Sequence, residues 1–95
     1  MEITLSTRRF EPTEKLLVFA NNEIEKLSKY FDGDISGTII LEENGNRKII
    51  EVRIKALGKV MTAQLEGDDF YKVIPKAADK LVRQLQSQKS KIRGR

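Results

Sequence analysis

The sequence predicts an α+β domain of order β-α-β-β-β-α. Its four strands form one mixed sheet in the order 1-2-3-4, with two helices packed on one face. Three observations predict this. Four runs alternate apolar and polar residues, the period of a strand. Two longer segments repeat their apolar residues every three or four positions, the period of a helix. Asn44-Gly45 stands between two alternating runs and is a strong short-range hairpin signal.

The elements follow in order. Met1, Ile3 and Leu5 alternate with Glu2, Thr4 and Ser6 in a half-buried first strand, broken by Arg8-Arg9-Phe10-Glu11-Pro12. Thr13 is a good N-cap, and Glu14 suits the first turn beside the positive end of a helix. Leu16, Ala20, Ile24, Leu27 and Phe31 then mark one face of a helix of roughly five turns, ended by Asp32-Gly33-Asp34. Ile35, Gly37, Ile39 and Leu41 share the inner face of the second strand. Ile50, Val52, Ile54 and Ala56 share that of the third, with Glu51, Arg53 and Lys55 outward. A turn at Leu57-Gly58-Lys59 leads to a fourth strand with Met61, Ala63 and Leu65 inward. The first crossover passes through a helix, so strands one and two lie parallel with a right-handed connection. The last three strands form an antiparallel meander.

The second helix carries two opposed stripes. Ile74, Ala78, Leu81, Leu85 and Ile92 form the apolar one; Lys72, Lys76, Lys80, Arg83 and Lys91 form the basic one. At about 100° per residue the two lie nearly opposite each other. Pro75 is awkward in this helix. It lacks the N–H that would bond the Tyr71 carbonyl and clashes with that group, at a cost of ~3 kcal/mol. Either a kink or a separate first turn satisfies the sequence. The chain reads as a single domain over residues 1–95, with a basic tail from about residue 88 expected to fray.

Composition narrows the function. The chain has 95 residues, 39% hydrophobic, and neither cysteine nor histidine. Disulfides, thiolate metal sites and thiol catalysis are excluded. Acid–base chemistry near neutral pH would need a strongly shifted carboxylate or lysine. No enzyme activity, cofactor or metal is expected. The N-terminus alternates and has no cationic leader, and no apolar run is long enough to span a membrane. The expected location is cytoplasmic. The net charge of +4 is unevenly spread: from Lys72 onward eight basic residues face the single acid Asp79, a net +7, which leaves −3 for residues 1–71. Such asymmetry points to a directed electrostatic surface.

A basic stripe is ordinarily a solvated helix face. Here it has almost no acidic partners, apart from Asp79 four residues before Arg83. Like charges at four-residue spacing repel by a few tenths of a kcal/mol per pair, a cost that a polyanion would offset. The outward sheet face (Thr4, Thr38, Ile40, Ile49, Glu51, Arg53, Thr62, Gln64) has no aromatic residues on its middle strands. Single-stranded RNA is therefore not read there by base stacking; a helix edge that touches phosphates suits structured RNA. Phe31 and one of Phe70 and Tyr71 are expected in the core, with the remaining aromatics, Tyr30 among them, partly exposed near one end of the domain. Glu66, Asp68 and Asp69 read as a turn and helix cap rather than a metal cluster.

The segment Ala63-Gln64-Leu65-Glu66-Gly67-Asp68-Asp69-Phe70-Tyr71, followed by Asp79-Lys80-Leu81-Val82-Arg83-Gln84-Leu85, resembles the signature of the ribosome hibernation-promoting factor family. Lys26-Leu27-Ser28-Lys29-Tyr30-Phe31-Asp32 is similar to that family's end of helix one. The resemblance implies the fold above and a non-enzymatic protein. It implies binding to the small ribosomal subunit in the mRNA and tRNA channel near the decoding centre, in competition with both RNAs. Ribosomes so occupied would be stored inactive under stress or in stationary phase. Carried over by position, Lys80 and Arg83 are implied RNA contacts, with Lys26 and Lys29 on helix one and Lys89 and Lys91 in the tail. Lys72, Lys76, Arg93 and Arg95 complete the candidate surface. The chain departs from the family at Glu23, Phe70, Pro75, Ser87 and Gln88. It stops just past the family's first domain and so looks like the short form, or the first domain of a long form. It is expected to be monomeric off the ribosome. A generic structured-RNA module and a protein-interaction domain that docks on an acidic partner are the rival readings.

Overall fold

The computed structural model describes the backbone of residues 1–93 and the side chains of residues 1–88. The elements are β1 (Glu2–Arg8), α1 (Glu14–Glu25), a 3₁₀ turn (Lys26–Lys29), β2 (Ser36–Asn44), β3 (Arg47–Ala56), β4 (Lys59–Gly67) and α2 (Phe70–Arg93). The sheet order is β1-β2-β3-β4. β1 runs parallel to β2, with Glu2 opposite Ser36. The other two pairs are antiparallel. This is the fold the alternation and the crossover predict.

Each inner face is as the period-2 pattern predicts. Ile39, Leu41, Ile50, Val52, Ile54, Ala56, Met61 and Ala63 are all buried, and they meet Leu16, Ala20, Ile24 and Leu27 from the first helical segment. From α2 come Phe70, Val73, Ile74, Ala77, Ala78, Leu81 and Leu85. All belong to one core, so both helices cover the same face and the opposite face stays open. No polar or charged residue is buried among the described residues. Nor does any helix among them have the length and apolarity to cross a membrane.

Two local features differ from the sequence expectations. The first helix is shorter as an α-helix than five turns: it tightens into the 3₁₀ turn after Glu25. Ser28 Oγ donates to the Glu25 carbonyl at 2.8 Å, competing for the acceptor that would continue the α ladder. The tighter turn still buries Leu27, while Phe31 falls beyond it, half-buried against the core. The first hairpin is also centred one residue later than Asn44-Gly45. Asn44 pairs with Arg47, leaving Gly45-Asn46 as the two-residue loop. Gly45 sits at φ 62° and Asn46 does not have positive φ, the pattern of a loop with glycine first.

Pro75 does not divide α2, which runs as one helix from Phe70. Ile74 on one side and Ala77 and Ala78 on the other are buried in the same core, so packing holds the helix together where one hydrogen bond is lost. The side chain of Ile92 lies outside the described residues, and the backbone of α2 continues as helix to Arg93.

Gly37 marks the closest backbone approach in the sheet. A β-carbon there would overlap the Arg53 carbonyl oxygen and lie 2.7 Å from Ile54 Cδ1. The Ile54 methyl can turn aside, but the Arg53 carbonyl cannot retreat without disturbing the β2–β3 ladder. Gly37→Ala should therefore destabilise the domain by about 1–3 kcal/mol, seen in urea as a lower midpoint with an unchanged slope.

Candidate nucleic-acid interface

The start of α2 is set by Asp69. Its Oδ1 accepts from the Tyr71 N–H at 2.9 Å, and its carbonyl accepts from the N–H groups of Lys72 and Val73. This satisfies N–H groups that have no partner within the helix. Glu66 is engaged elsewhere, 3.4 Å from Arg47 across β3 and β4. The acids of this stretch therefore act as cap and cross-strand partner.

From that cap the helical period decides where the cations go. With Val73, Ile74, Ala77, Ala78 and Leu81 buried, Lys72, Lys76, Lys80 and Arg83 are left exposed on the outer side. Lys76, Lys80 and Arg83 rim a shallow depression with Asp79 and with Leu65 of β4. The stripe thus faces outward beside the free edge of the sheet. On the same side Gln84 Nε2 donates to the Thr62 carbonyl at 2.7 Å, tying the helix to that edge.

None of these four cations is in an ion pair among the described residues, and Asp79 does not close on Arg83. The rest of the molecule is different. Glu42 lies 3.9 Å from both Arg8 and Arg9, Glu43 is 2.8 Å from Lys48, and Glu66 meets Arg47. Glu23, Glu42, Glu43 and Glu66 are thus matched by nearby cations, whereas the α2 cations face solvent without an acidic partner among the described residues. The local field is accordingly positive along α2.

The helix-one candidates divide. Lys26 is tied to Glu23 at 2.9 Å, so the departure at Glu23 offsets part of its charge. Lys29 is exposed at the end of the 3₁₀ turn, which itself touches α2. The side chains of Lys89, Lys91 and Arg93, and all of Arg95, lie outside the described residues.

Phe70 is the buried member of its pair and stacks on Phe10 with ring centroids 5.2 Å apart. Tyr71 is 39% exposed, packed against Phe19 at 4.9 Å with Lys15 Nζ 6.0 Å above its ring. Tyr30 is also partly exposed, just past the 3₁₀ turn. Lys15 over Tyr71 was not among the sequence candidates. It belongs to an aromatic–cation contact between helices that no local pattern marks.

Comparison with known proteins agrees with this geometry. Residues 3–93 match the family model described as sigma 54 modulation protein / S30EA ribosomal protein. The ribosome hibernation promoting factor of Azotobacter vinelandii is 30% identical over 91 residues, covering 96% of this chain and 85% of that one. The factor of the same name from Escherichia coli K12 is 29% identical over 93 residues, covering 98% of both. Among solved structures, a ribosomal subunit interface protein from Coxiella burnetii superposes with a TM-score of 0.82 at 27% identity, covering 95% of this chain and 99% of that one. The N-terminal domain of Thermus thermophilus Protein Y has the same fold, with a TM-score of 0.84 at 24% identity over 92% of this chain and 98% of that one.

Because Lys80 and Arg83 are exposed and unpaired, reversing both should leave the fold intact. Lys80→Glu/Arg83→Glu should unfold within about 0.5 kcal/mol of the parent in urea titration.

Proposed function

The chain belongs to the sigma 54 modulation protein / S30EA ribosomal protein family, a family of non-enzymatic ribosome hibernation factors. On that premise we propose that it binds the small ribosomal subunit in the mRNA and tRNA channel near the decoding centre. Occupancy there would block translation and hold ribosomes inactive under stress or in stationary phase. The observation that carries this reading is the row of exposed cations on α2, none of them in an ion pair among the described residues.

The mechanism is steric and electrostatic. Lys72, Lys76, Lys80 and Arg83, with Lys29 and the basic tail, neutralise rRNA phosphates and release their counterions. Lys26 contributes less, being held by Glu23. The compact body behind them fills space that tRNA and mRNA would use. Phosphate contacts orient the protein without reading sequence, so the shape of the RNA-lined channel supplies the specificity. The site would lie in the cytoplasm, and the protein would be monomeric off the ribosome. The names of the relatives, hibernation promoting factor and subunit interface protein, support the same partner.

Co-sedimentation with small ribosomal subunits tests the reading, with and without bound tRNA, across a salt series. Near one-to-one pelleting is expected, weakened by tRNA and by salt. With about five to eight phosphates contacted, log affinity should fall against log salt by roughly 0.7–0.9 per contact. Lys80→Glu/Arg83→Glu should lose binding while remaining folded. Pelleting that tRNA does not weaken would place this basic helix on a general RNA surface and remove the channel from the reading.

A further inference from the structure

We propose that the open face of the sheet carries a second phosphate-binding surface, built by Arg8, Arg9 and Arg53, so that the domain grips RNA from two sides. This rests on the ribosomal reading above and names a further part of the same contact.

The first observation is Arg9, which stands at φ 71°. A residue with a β-carbon in the left-handed region costs about 1–2 kcal/mol, and glycine, asparagine or aspartate ordinarily occupies it. An arginine there recovers little by burial, since its side chain is 66% exposed. Residues held in such conformations cluster where the side chain is needed for a ligand.

The second observation is where that conformation leaves the guanidinium. Arg9 Nε lies 3.9 Å from Glu42 Oε2, and Arg8 Nη1 lies 3.9 Å from Glu42 Oε1. Two guanidiniums therefore share one carboxylate, with a net charge of +1. Short charge-assisted bonds run to about 2.7–2.9 Å, so Glu42 steers both groups without saturating them. Each guanidinium has five N–H donors, most of which stay available to an oxyanion.

The third observation is Arg53. It is exposed on β3 and has no ion pair among the described residues. The register sets Thr38 opposite it on β2 and Thr62 opposite it on β4, while Thr4 of β1 pairs with Thr38. One row across the sheet thus presents an arginine among three hydroxyls. Arg8 and Arg53 line one shallow depression with Thr38, Ile40 and Glu51, so the single acid in it stands against two arginines.

Guanidinium and hydroxyl groups on a flat face without aromatics match phosphate and sugar oxygens rather than bases. The face lies opposite the helices, so it cannot engage the same strand segment as the α2 stripe. A protein lodged in an RNA-lined channel would meet phosphates on both of these sides.

The test is the double variant Arg9→Asn/Arg53→Gln, with thermal unfolding measured beside co-sedimentation with small ribosomal subunits over a salt series. Asparagine accepts the left-handed conformation, so the melting temperature should hold or rise. Affinity should fall, and the salt slope should become shallower by roughly 0.7–0.9 for each contact removed. If the double variant melts below the parent, Arg53→Gln alone carries the test, because that position is an exposed strand site. Parental affinity and slope in the variant, beside a Lys80→Glu/Arg83→Glu chain that no longer pellets, overturns the second surface and leaves the α2 surface standing. A parent chain that does not pellet with small subunits overturns both.

Discussion

The apolar stripe of α2 packs against the inner face of β3 and β4, and the rest of the molecule follows from that contact. Phe70, Val73, Ile74, Leu81 and Leu85 are each buried to 5% exposure or less, with Ala77 and Ala78 allowing close approach between them. Each large side chain so buried contributes about 1.5–3 kcal/mol. Repulsion between like charges four residues apart on the outer face is only a few tenths of a kcal/mol per pair. Burial therefore dominates, and the helix can hold a row of unpaired cations without loss of the fold. It also offsets the hydrogen bond missing at Pro75.

The same burial leaves the sheet one-sided. Both helices lie on one face, and the other presents threonines, arginines and glutamates to solvent. Surface ion pairs are each worth about 0–1 kcal/mol, so Glu42, Glu43 and Glu66 contribute little to stability. Their importance is in where charge is left over. They lie beside Arg8, Arg9, Arg47 and Lys48 of the body, whereas no cation of α2 has an acidic partner among the described residues. The directed field follows from helical geometry in α2 and from strand register in the body. Recognition of an RNA partner by shape and phosphate needs little more than this, which is consistent with the absence of histidine and cysteine from the chain.

Much of this is legible in the sequence. The alternation in β3 alone puts Ile50, Val52, Ile54 and Ala56 inward and Glu51, Arg53 and Lys55 outward. The spacing of Lys72, Lys76, Lys80 and Arg83 likewise places them together, because a helix repeats every 3.6 residues whatever it packs against. Thr13, and one of Asp68 and Asp69, could be assigned as caps because a cap is a local hydrogen bond; Thr13 and Asp69 make it. The one-residue displacement of the first hairpin lies at the limit of such reading. Asn44-Gly45 and Gly45-Asn46 are both acceptable loops, and pairing along the whole ladder chooses between them.

The sequence by itself determined the order of elements, their inner and outer faces, and the basic outer stripe of α2, since each of these is set by a local period or a local cap. Only the tertiary structure decided which cations are free and which are matched. Glu42 reaches Arg8 and Arg9 from a neighbouring strand, while Asp79, one turn from Arg83, leaves it unpaired. The passage of α2 through Pro75 was likewise settled by packing. There a local preference of about 3 kcal/mol is outweighed by burial summed over many residues distant in the chain, and no window of sequence contains that sum.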